Sequence, residues 1–164
     1  MSIPSKPQWK EGLSEVDVEI NCDGQKLQAQ GITHENTPGL AVTMHPFGLF
    51  TVTHINTGLR MCNTYERSAS ALLAMSQFSL IAKMQGKSWV DLDKDGGFDL
   101  MQEAAESEVP FDGNSHTSIE GTRKMTVKEW FQVIRMPMWD EFPWEDRDPF
   151  DEALENFKKL GGAA

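Results

Sequence analysis

The residues with the clearest capacity for chemistry are four aspartates, Asp91, Asp93, Asp95 and Asp99. Carboxylates at alternate positions can surround a hard divalent cation, which prefers a cage of oxygen ligands. Gly96 follows the third aspartate, where a sharp turn would draw the ligands together, and Phe98 supplies an apolar anchor. The four aspartates are therefore a candidate calcium site. The same residues also make a solvated Asp-Gly turn that holds no metal. A second acidic stretch places Asp140, Glu141, Glu145 and Asp146 around Trp144. Such carboxylates can meet lysine or arginine on a partner, while a tryptophan fills an apolar slot at low entropic cost. Trp139, Phe142 and Phe150 interleave with the same acids, and they could instead clamp this stretch onto the chain's own core.

The segment from Asp91 to Asp99 resembles the calcium loop of EF-hand proteins at six positions. Oxygen donors fall at loop positions one, three, five and nine, with glycine at six and an apolar residue at eight. The resemblance implies calcium held by Asp91, Asp93, Asp95 and Asp99. Two features depart from the pattern. The twelfth position is Gln102, with Glu103 next to it, and the entering side, Gly86 to Val90, is a poor helix.

Nucleophilic chemistry has little support. His34, His45, His54 and His116 are scattered, and the only cysteines are Cys22 and Cys62. Cys62 could approach His54 across a turn at Asn56-Thr57-Gly58, but a Cys–His pair also needs an orienting acid and a pocket. His45 and His54 fall at opposite ends of one expected hairpin, so they do not share a metal. Arg60 and Arg67 flank the start of a long helix, where an anion could sit, although Glu66 already complements the helix dipole there. No phosphate-binding glycine loop, nucleophile elbow or zinc-binding HExxH is present. A small enzyme of unknown class is the third-ranked reading.

Charge is the unusual property of the 164-residue chain. Fifteen basic and 25 acidic residues give −10, with 39% hydrophobic residues, enough for a packed core. The surplus is concentrated. Residues 91–112 carry −7 and residues 139–152 carry −6, so the rest of the chain is +3. This argues against direct binding to nucleic acid or to an anionic membrane. It suits a basic protein surface, such as the groove of a nucleic-acid-binding protein. In size, acidity and lack of catalytic motifs the chain is similar in kind to the small inhibitors of mobile elements, the anti-restriction and anti-CRISPR proteins, though it shares no motif with them. The leading expectation is thus a non-catalytic nucleic-acid mimic, with a calcium-binding module as the alternative. No hydrophobic leader and no membrane-length apolar run are present, and cysteines are few, so a cytoplasmic location is expected.

The elements that must position these residues are those of an α+β fold. Residues 1–13 read as a flexible tail. Val16, Val18 and Ile20 alternate with Asp17 and Glu19, the period of a half-buried strand. Asp23-Gly24 then suits a tight hairpin. Strands are expected again over 40–45, 49–55 and 59–62, giving an antiparallel β-meander of about five strands within residues 14–63. The spacing predicts one long helix over 65–85, capped by Thr64, with an apolar stripe packed on the meander. An acidic loop is expected over 91–112, completing an α+β sandwich over 14–106, with a mobile loop over 112–121. A small helical C-terminal lobe over 122–161 should follow. Thr126 and Glu129 fit a capping box for a helix over 127–135, and Asp148-Pro149 opens a last helix that Gly161 closes.

Overall fold

The computed structural model describes residues 12–45, 48–111, 115–136 and 148–162. The expected fold class is the observed one: an N-terminal antiparallel sheet of five strands, followed by four helices. The strands are β1 (Leu13–Cys22), β2 (Gln25–His34), β3 (Leu40–His45), β4 (Leu49–His54) and β5 (Leu59–Arg60), paired in chain order. Asp23 and Gly24 join β1 to β2, with Cys22 opposite Gln25 and both turn residues at positive φ, 51° and 81°. That backbone matches the right-handed twist of the flanking strands. Most of the tail expected over 1–13 lies outside the described residues, and Leu13 already belongs to β1.

Alternation gives the sheet two buried faces. Leu40, Val42, Val52 and His54 face the helices. Val18, Ile20 and Ala41 form a second, smaller apolar cluster on the other face. There the Thr43 and Thr53 hydroxyls meet at 2.7 Å. The edge strand β1 folds back towards the β4–β5 turn, where the Asn21 N–H donates to the Gly58 carbonyl at 2.8 Å. This curl covers the second face without a second layer of helices.

The long helix, α1 (Ser68–Met84), departs from expectation in two ways. Its N-cap is Arg67, with no side-chain cap, rather than Thr64. The chain just before it is still bound to the sheet, because Tyr65 exchanges two backbone hydrogen bonds with Phe50, at 2.6 and 2.8 Å. Nor does α1 show one stripe: every residue from Ser70 to Ala82 is buried. The sheet lies on one side of it, and α4 (Pro149–Leu160) on another. Small residues such as Ala71, Ala74 and Ser76 allow that close packing. Asn156 of α4 donates to the Ser76 hydroxyl at 3.0 Å, and Ser76 donates to the Leu73 carbonyl at 2.6 Å.

The acidic loop expected over 91–112 is largely a helix, α2 (Lys94–Ala104). Asp93 caps it by accepting the Gly96 N–H at 2.7 Å. The loop expected over 112–121 holds instead a hairpin of β6 (Ser115–Ser118) and β7 (Gly121–Lys124). The C-terminal helices α3 (Val127–Arg135) and α4 lie where expected, with the Thr126–Glu129 capping box, the Asp148 N-cap with Pro149, and Gly161 all in place. Trp130 and Ile134 of α3, with Ala153 and Phe157 of α4, enter the same core as the sheet and α1. Among the described residues no helix is long and apolar enough to cross a membrane.

Candidate functional site

Two surfaces on α2 carry the functional argument. Its outer side exposes Asp95, Asp99 and Glu103, one to each turn, with Asp91 and Asp93 exposed just ahead of it and Glu106 just beyond its end. Among the described residues only Glu103 of these meets a cation, Lys87 at 2.8 Å. The ridge is mixed in its effect on the helix: Asp95 stands in the first turn, where the dipole favours an anion, but the acids further along are unfavourable. Asp95 and Asp99 are like charges four residues apart, a spacing that costs about 0.2–0.5 kcal/mol. Glu103 sits in the last turn, where the dipole disfavours an anion, and no basic residue stands there.

The calcium geometry expected for these aspartates is not formed. A cage requires the chain to wrap around the ion, but here helix begins at Lys94, before the third ligand position. Asp93 spends one oxygen on the Gly96 N–H, and Asp95 and Asp99 project from a regular helix. Among the described residues no group of three or more histidine, cysteine or acidic side chains could hold a metal ion. Asp140, Glu141, Trp144, Glu145 and Asp146 lie outside the described residues.

The other surface of α2 closes a cleft of about 310 Å³ against β5, the β4–β5 turn and α3. Its deep walls are Phe78, Trp89 and Met101, all buried, and its outer walls include Phe98 and Phe131. Phe78 packs edge-on against Trp89, Trp130 and Phe131, with centroids 5.0–6.1 Å apart. Trp89 is pinned at both ends. Its indole N–H donates to the Phe78 carbonyl at 3.0 Å, and its own carbonyl accepts the His54 Nε2–H at 2.6 Å. His54 Nδ1 lies 2.9 Å from the Thr57 hydroxyl. Both ring nitrogens are therefore occupied, and His54 is a structural prop for the cleft wall. Gly97 lets α2 approach this wall, since a β-carbon there would lie 3.3 Å from the Trp89 ring.

The Cys62–His54 pair is not formed. The Cys62 sulfur lies 3.6 Å from the Thr51 hydroxyl, and burial pushes its thiol above the ordinary range. That is the opposite of an activated nucleophile. His45 and His54 stand at opposite ends of the β3–β4 pair, as expected. His45 is held below the usual imidazole range by burial, then by the charge of Arg60. Arg60 itself borders the cleft rather than an anion site at the start of α1. His34 is buried and stacks on Phe157 at 4.1 Å, while its Nδ1 accepts the Asn36 N–H at 2.9 Å.

Sequence reasoning missed the cleft. Its walls come from segments far apart in the chain, and the one local signal is Gly96-Gly97, a pair with no use inside a helix unless something packs closely there. No protein-family model, curated protein or solved structure matches this chain.

Proposed function

We propose that this chain is a non-catalytic interaction protein that offers an acidic surface to the basic groove of a nucleic-acid-handling protein. Small inhibitors of the anti-restriction and anti-CRISPR kind are the model for this reading. The observation that supports it best is the ridge along α2 and its flanks, where exposed carboxylates are gathered on one side and Asp95 and Asp99 stand one helical turn apart. General solubility needs net charge but not its concentration on one helix face. The acids from Asp140 to Asp146, with Trp144 among them, would supply a second contact with an apolar anchor. Binding through such surfaces weakens steeply as salt rises.

The test is affinity capture from the lysate of the cells in which the chain is made, with elution by rising salt and mass spectrometry of each step. Two variants accompany the native chain: Asp95→Asn with Asp99→Asn and Glu106→Gln, and Asp140→Asn with Glu141→Gln, Glu145→Gln and Asp146→Asn. The expected result is a nucleic-acid-handling protein that leaves the native chain only at high salt and leaves both variants earlier. Equal recovery and equal salt of elution for all three chains would refute the reading.

A further inference from the structure

We propose that the cleft between β5, α2 and α3 binds a small apolar carboxylate, an aromatic acid of one or two rings. The ring would lie against Phe78, Trp89 and Met101, and the carboxylate would face the arginines at the mouth. Three observations converge on this class. The volume, about 310 Å³, lies at the lower end of ligand-binding pockets, which run from about 300 to 1,000 Å³. The walls are mostly aromatic and aliphatic, and Phe98 at the lip stays 55% exposed. A large apolar side chain left in water beside an apolar cleft is area that a ligand would cover.

Charge then selects the ligand. Arg60, Lys94 and Arg135 border the cleft, against a single carboxylate, Asp93, whose side chain already serves the Gly96 N–H. Four cations elsewhere, Lys26, Lys87, Arg123 and Lys158, each meet a glutamate. Among the described residues none of the three cations at the cleft has an ion-pair partner. The guanidinium of Arg135 lies over the ring of Phe131, another residue of the cleft wall, at 5.3 Å. The helix ends add to the effect. The positive end of α2 meets the cleft at Lys94. At the opposing negative end of α3, Asn63 ties off the Ile134 and Arg135 carbonyls at 3.1 and 3.3 Å. A cation or a neutral ring gains nothing from this arrangement, whereas a carboxylate gains charge-assisted hydrogen bonds.

The experiment is calorimetric titration of the full chain with 2-naphthoate, and in parallel with the isosteric neutral 2-naphthamide. The carboxylate should bind at least about tenfold tighter than the amide, the worth of one good charge-assisted contact. Raising the salt should narrow that gap. The variant Arg60→Gln with Arg135→Gln should abolish the preference while binding the amide as before. Phe98→Glu, at an exposed position, should remove naphthoate binding and leave the fold intact by circular dichroism. The proposal is overturned if neither probe binds at millimolar concentration, if the two bind equally, or if both variants hold naphthoate as tightly as the native chain. Neither probe bears on the acidic ridge, so its result is separate from that of the capture experiment.

Discussion

Phe78 is the side chain on which most of the aromatic core converges. It is fully buried and touches rings from the segment after α1, through Trp89, and from α3, through Trp130 and Phe131. Truncation to alanine should cost about 3–5 kcal/mol in urea unfolding, because it removes a fully buried ring and its contacts with three others. Thr126→Ala, which removes one half of a capping box, should cost about 1 kcal/mol. The other half adds a pH dependence. Two hydrogen bonds from Arg123, at 2.7 and 2.8 Å, and then the Thr126 N–H, hold the Glu129 carboxyl down at about 2 against its ordinary 4.5. A depressed carboxyl stabilises the fold fully above its unfolded value and loses that contribution as pH falls through the folded one. The stability gap between the native chain and Glu129→Gln should therefore be constant near neutrality and shrink from about pH 4.5 to pH 2. A gap that stayed constant through that range would refute the assignment. The capping box was legible because its residues are three apart. The Phe78 hub was not, because its partners lie 11 to 53 positions away.

At the scale of elements, two glycines at similar positive φ separate local from tertiary constraint. Gly24 and Gly58 sit at φ of 81° and 70°. A β-carbon on Gly24 would meet nothing within 4 Å, whereas one on Gly58 would lie 2.6 Å from the backbone oxygen of Glu19. Gly24→Ala should cost about 1–2 kcal/mol, the penalty of the left-handed conformation alone. Gly58→Ala should cost clearly more, because it also pushes β1 from the β4–β5 turn and opens the curl of the sheet. Equal losses in thermal unfolding would show that the curl contributes nothing. The same contrast explains which elements the sequence revealed. The β1–β2 hairpin follows from alternation and Asp23-Gly24, both local signals. α2 falls in a segment expected as an acidic loop from its carboxylates and Asp-Gly turn, and Gly96 and Gly97 each cost about 1 kcal/mol relative to alanine inside a helix. What outweighs them is a contact that no local pattern contains, the seat of Gly97 on the Trp89 ring. α1 misled in the opposite sense. Its expected stripe assumed a solvated back, and α4 covers that back.

For the molecule as a whole, the main conflict is between the large core that the sheet shares with the helices and a net charge of −10. Burial around α1 holds the sheet and the helices together, while the charge opposes compaction through self-repulsion. That repulsion acts where acids stand close together, as Asp95, Asp99 and Glu103 do along the exposed side of α2. Replacing Asp99 with asparagine should therefore stabilise the fold, because it removes the like-charge pairs with Asp95 and Glu103 and leaves Asp95 in the first turn, where the dipole favours it. Relief of like-charge pairs at helical spacing suggests about 0.5–1 kcal/mol at low ionic strength. Salt should erase the difference, because the ridge is exposed and the screening length falls to about 3 Å at 1 M. Thermal unfolding of the native and substituted chains at low and high salt measures both effects. If the ridge served only the fold, neutralising it would lower stability, and the electrostatic reading of α2 would be wrong. A gain in stability together with earlier elution from the captured partner would mean that the chain keeps a helix less stable than it could be. The carboxylates on that helix would then be retained for binding, a trade of stability against function that is common where a surface must meet a partner.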